Sequence, residues 1–136
     1  MKIKNIFLLS MLSLLLVACS DSKEKLYGDL LDSQQKITEI LKTVKDDATA
    51  TKAIADIKSL EKEFDDLIAR SEKLDVDILS RASAEELKES LGEDLFGKMV
   101  QASEDTGEEL KRIKGELPNA KYDELVEAME KATKTK

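Results

Sequence analysis

The side chains that carry most enzyme chemistry are scarce in this chain, which has one cysteine, Cys19, and no histidine. Without imidazole there is no Ser-His-Asp or Cys-His nucleophile, no histidine zinc site and no Glu-x-x-His di-iron pair. A thiol, carboxylates and lysines remain. Residues 92–99, GEDLFGKM, have the G-x-x-x-x-G-K spacing of a phosphate-binding loop, but Met99 stands where magnesium needs a Ser or Thr. Glu93 and Asp94 would also face phosphate with like charge, so a helix with closely packing glycines is the plainer reading. Residues 75–86, DVDILSRASAEE, place Asp75, Asp77, Ser83 and Glu86 where an EF-hand loop has ligands, yet Leu79 and Ser80 replace an oxygen ligand and the turn glycine. A connector ending in a capping box fits them better. Adjacent acids recur, as at Asp46-Asp47, Asp65-Asp66 and Glu108-Glu109. Neighbours on a helix do not face each other, so an acid-base pair would have to form across helices. The expectation is no catalytic residue, no metal site and no cofactor.

The thiol is the exception, because of where it sits. Lys2 and Lys4 precede an uncharged stretch over residues 5–20, which has the basic start and short apolar run of an export signal. Its 16 residues fall short of the roughly 20 that span a bilayer as a helix. The run closes on Leu16-Val17-Ala18-Cys19. In an ordinary signal peptide Cys19 would be an unpaired thiol beside the cleavage site, with no second cysteine to bond. Leu16-Val17-Ala18-Cys19 resembles the lipobox of bacterial membrane lipoproteins. That resemblance, confined to about the first 20 residues, implies removal of residues 1–18, diacylglycerol in thioether linkage to Cys19, and acylation of the new amino terminus. Two or more acyl chains anchor stably where one gives only marginal binding, each buried methylene contributing about 0.8 kcal/mol. In diderm members of the family, Asp directly after the cysteine marks retention in the inner membrane. Ser20 at that position implies the periplasmic face of the outer membrane, although Asp21 carries the retention signal in some lineages.

Charge agrees with an anchor that does not depend on lipid headgroups. The chain has 22 Lys and Arg against 29 Asp and Glu, a net charge of −7. Loss of Lys2 and Lys4 with residues 1–18 leaves 20 against 29, or −9. Such a surface repels nucleic-acid phosphate and anionic lipid alike, so no nucleic-acid partner is expected.

The elements that would present these groups are helices. Leu26, Leu30, Ile37, Leu41, Val44 and Ala48 follow helical spacing, as do Ile57, Leu60, Phe64, Leu67 and Leu74. The two stripes point in opposite directions, so a break is expected at residues 46–49, with Asp47 or Thr49 capping the second helix of an antiparallel hairpin. After a connector whose Val76, Ile78 and Leu79 cover one end of the core, Ser83 and Glu86 form a capping box. A third stripe then runs from Leu87 through Leu95, Met99, Ala102 and Ile113 to Leu117, with a kink expected near Gly107. Pro118 ends it, and Asn119 caps a short helix carrying Tyr122, Leu125 and Met129 before the polar tail KATKTK. The fold class is all-α: an up-down bundle of three long helices and one short C-terminal helix over residues 25–134, joined by a short linker, residues 19–24, to the anchor.

The mature domain is similar to periplasmic helical bundles. Its segment LKTVKDDATATKAIADIKSLEKEFDDL resembles the first hairpin of the four-helix b-type cytochromes. That resemblance implies topology alone, since the histidine ligand of their haem has no counterpart here and Met99 and Met129 read as core. The chain is similar to murein lipoprotein in its cysteine, its helices and a final lysine, Lys136, but Pro118 and the opposed stripes contradict a single uninterrupted helix. The functional expectation is a non-enzymatic, lipid-anchored module of the cell envelope that binds another envelope component. A structural spacer between membrane and peptidoglycan is the alternative.

Overall fold

The computed structural model describes residues 22–75 and 84–133, and every regular element among them is a helix. Cys19, Lys136, the connector over residues 76–82 and the Ser83 half of the capping box lie outside the described residues. The order is α1 (Lys23–Lys42), α2 (Asp47–Ser59), α3 (Glu61–Lys73), α4 (Ala84–Leu91), α5 (Glu93–Glu116) and α6 (Asn119–Thr133). The chain is an all-α bundle, its second and third long helices each bent once.

Each boundary has a local cause. Ser22 caps α1, its hydroxyl accepting from the Lys25 amide at 3.1 Å. The helix therefore takes in Lys23 and Glu24, which shortens the linker expected over residues 19–24. The break between α1 and α2 falls where the opposed stripes require it, but the cap is Asp46 rather than Asp47 or Thr49. Asp46 accepts from the Thr49 amide at 2.8 Å while Thr49 Oγ1 accepts from the Asp46 amide at 2.9 Å, so Thr49 closes the box from inside the helix. Ala48, expected on the buried stripe, is exposed in that first turn.

The bend at Leu60 comes from a hydroxyl. Ser59 Oγ donates to the Asp56 carbonyl at 2.6 Å, and the Leu60 amide bonds instead to Ile57 O at 3.0 Å, one residue short of the α pattern. The bend in the third helix lies at Gly92, not at Gly107, which sits inside an unbroken α5. Gly92 has φ +79° and ψ 158°, an extended positive-φ conformation that costs a residue with a Cβ about 1 to 3 kcal/mol. Open space surrounds the Cβ position at both glycines. Gly92→Ala is therefore expected to destabilise the protein by about 1 to 3 kcal/mol through backbone strain, and Gly107→Ala to stabilise it by up to about 1 kcal/mol through helix propensity. Paired urea titrations read the opposite signs. At the next boundary Leu117 is extended, at ψ 154°, as the residue before Pro118 must be. Asn119 lies inside α6 rather than capping it: the Pro118 carbonyl takes the Tyr122 amide at 3.0 Å. The helix also runs on into the expected polar tail, with Ala132 buried.

The core joins Leu26, Ile37, Leu41 and Val44 of the first helix and its C-terminal turn to Ile57, Phe64, Leu67, Ile113, Leu117, Leu125 and Ala128. α1 packs against α3 on one side and α5 on the other, and α2 packs against α6. Asp29 meets Arg70 and Lys36 meets Glu63, so α1 and α3 are antiparallel. Thr38 meets Thr106 and Val44 meets Arg112, so α1 and α5 run the same way. With neighbours on both flanks α1 also buries Tyr27, Leu31, Ser33 and Thr38, beyond its single expected stripe.

Candidate functional site

Cys19, the one site residue expected from the sequence, lies outside the described residues, so its surroundings begin at the Ser22 cap. Among the described residues no cluster of three or more Asp, Glu, Cys or His could hold a metal ion. No helix there is long and apolar enough to cross a membrane. The GEDLFGKM segment straddles the Gly92 bend and enters α5, where Glu93 and Asp94 occupy the first turn, favourably placed against the helix dipole. Lys98 is drawn back to Asp94 at 2.7 Å, one helical turn away. Met99 and Met129 are half-buried, Met129 packed against the core.

Polar side chains, of which Ser33 and Thr38 are buried, tie α1 to its neighbours. Arg112 of α5 donates to the carbonyl of Val44 at 2.8 Å and to that of Leu41 at 3.1 Å, the latter shared with the Val44 amide at 3.0 Å, and so ties the C-terminal end of α1 to α5. Glu109 and Glu116 hold the guanidinium in place at 2.8 and 2.6 Å. Thr38 and Thr106 share a hydrogen bond of 2.7 Å between α1 and α5. On the other flank Lys36 Nζ donates to both Glu63 oxygens, at 2.7 and 2.8 Å, and the fully buried Ser33 approaches the same carboxylate. Arg70 reaches Asp29 at 2.8 Å and Asp66 at 3.8 Å. Such pairs fix register more than they add stability.

Among the described residues the carboxylates with displaced protonation are Asp46, Glu63 and Glu127, and all three are displaced downwards. The cause is the Thr49 amide for Asp46, the Lys36 ammonium and then the Ser33 hydroxyl for Glu63, and Lys131 for Glu127. Held in the charged form, they are suited to fixing structure and unsuited to donating a proton. The sign for stability follows. A carboxylate whose folded pKa is lowered stabilises the fold above its unfolded pKa, near 4.3 for Glu, and loses that contribution as pH falls through the folded value. Glu63→Gln is expected to lower the urea midpoint at pH 7, and the gap to wild type to close as the pH is taken to about 3. A gap that stays constant with pH would show that the Lys36 contact contributes nothing through charge.

Among the described residues an open groove of about 670 Å³ lies between α1 and α2, lined by Asp32, Gln35, Lys36, Glu39, Ile40, Asp56, Ser59 and Leu60. Ile40 and Leu60 are half-buried there, and the carboxylates stand around them. The arrangement, an apolar floor with carboxylates around it, is suited to binding. A smaller, polar cleft on the other side of α1 shares Gln35 and Glu39 and adds Lys42, Lys98, Gln101 and Asp105. Its charged groups are already engaged: Lys42 with Glu39, Lys98 with Asp94, and Gln101 with Asp105. Sequence reasoning missed the groove, although one signal was present: Ile40 is an aliphatic residue outside the α1 stripe. Comparison outside the chain adds no assignment, since no protein-family model, curated protein or solved structure gives a significant match.

Proposed function

We propose that this chain is a lipid-anchored protein of the bacterial cell envelope whose helical bundle is a non-enzymatic binding module for another envelope component. The observation that carries this reading is Leu16-Val17-Ala18-Cys19 at the end of a Lys-started apolar run. The position of α1 supports it: the first helix among the described residues opens at Lys23, capped by Ser22. An acyl group on Cys19 would thus hold the bundle against the lipid surface by a few residues, and in a diderm host Ser20 favours the periplasmic face of the outer membrane.

Anchoring supplies the affinity that the domain itself need not have. A module confined to a surface meets its neighbours at high effective concentration, so modest intrinsic binding suffices. With a charge of −9 after processing, the partner should present a basic patch, and association should weaken as salt rises. Crosslinking in intact cells tests this: one envelope protein should be trapped reproducibly. Hydrolytic turnover of an envelope substrate without a reproducible partner would overturn the reading in favour of an enzyme. Protein still wall-bound after boiling in detergent would favour the spacer.

A further inference from the structure

We infer that the α1/α2 groove is the docking site for a basic amphipathic helix, which lays an aliphatic side chain on Ile40 and Leu60 and sets cationic side chains against Asp32, Glu39 and Asp56. The inference rests on the binding-module reading and names its site. The floor is apolar and half-buried, and the groove is open along its length, which suits a helix lying in it better than an enclosed small molecule. Three carboxylates and one ammonium, Lys36, surround that floor.

The balance is more acidic than that count. Lys36 is spent, with both Glu63 oxygens within 2.8 Å, and so cannot neutralise the rim. Glu39 is shared with Lys42, while Asp32 and Asp56 have neither an ion pair nor a side-chain hydrogen bond among the described residues. Free carboxylates on both walls of an apolar trough match a chain that is cationic at its edges and aliphatic at its centre. Asp32 and Glu39 are seven residues apart on one face of α1, about 10.5 Å, which is the spacing of cationic residues two turns apart on a docking helix. A second copy of this acidic chain would meet repulsion in the same place.

The probe is a synthetic leucine-lysine amphipathic peptide of about 15 residues. Its controls are a leucine-glutamate peptide and an alanine-lysine peptide of the same length, and each is titrated against the full chain in detergent by fluorescence anisotropy. The leucine-lysine peptide should bind, the acidic one should not, and the one without leucine should bind more weakly. Asp32→Lys with Asp56→Lys should weaken binding at least about tenfold at low salt, whereas Asp65→Lys with Asp123→Lys, the same change of net charge at exposed positions outside the groove, should change it less than about twofold. Circular dichroism melts establish that both double variants fold. Equal loss in the two variants, or no binding of the leucine-lysine peptide, would overturn the groove assignment. In cells the two claims separate. A partner captured equally by wild type and by the Asp32→Lys, Asp56→Lys variant refutes the groove and leaves the binding-module reading standing, whereas peptide binding without any captured partner refutes the module reading and leaves the groove.

Discussion

Phe64→Ala should lose about 3 to 5 kcal/mol of folding stability, read as a shift of the urea midpoint at unchanged slope. Phe64 is only 6% exposed and belongs to the core cluster that joins α1, α2, α3, α5 and α6. It stands in the first turn of α3, its amide bonded to the Leu60 carbonyl at 3.1 Å, so the backbone on either side of the bend holds the ring in place. Removing the ring leaves a void that the bundle can fill only by moving several helices. A domain of this size has about 5 to 15 kcal/mol in all, so the loss is a large share of it. Phe64→Leu, which keeps most of the volume, should cost less than the alanine change. A loss near zero for Phe64→Ala would mean that the ring faces solvent and that the bundle is assembled about a different face of α3.

Cys19→Ser should remove the protein from the membrane fraction and abolish incorporation of radiolabelled palmitate. The reason is the asymmetry between lipid chains and the rest of the molecule: two or more acyl chains hold stably, whereas a surface whose charge would be −9 once residues 1–18 are removed has no attraction for anionic headgroups. The described helices add no membrane span. Wild type and variant should have the same melting temperature, because the first turn of α1 is capped by Ser22, downstream of the substitution. Persistent membrane association with undiminished label would sink the assignment of Cys19 as the attachment point.

How much of this was legible in the sequence depends on how local the cause was. The α1/α2 break could be read because the phases of the stripe read from Leu26 to Ala48 and of the one starting at Ile57 conflict, and the end of α5 because Pro118 forces Leu117 out of the helix. The Leu60 bend was not legible. It depends on Ser59 competing for the Asp56 carbonyl, and the same residue elsewhere in a helix leaves it straight. Among the glycines only Gly92 takes a positive φ, and the letters do not distinguish it from Gly107. Gly107 follows Thr106, whose hydroxyl bonds Thr38 across the α1/α5 contact in a continuous helix. Tyr27, Ser33 and Thr38 escaped the stripe because α1 has partners on two flanks, a tertiary fact. The groove is tertiary in the same sense: Asp32 and Asp56 are 24 positions apart and share a site only because α1 and α2 meet.

The central claim is a lipid on Cys19, and the most direct test is the mass of the amino-terminal peptide of the protein extracted from its own membrane. The expected peptide begins at Cys19 and carries diacylglycerol on the thiol, with a further acyl group on the amine where the host adds one. A peptide that extends upstream of Cys19, or one that begins there with a free thiol open to alkylation, would contradict it.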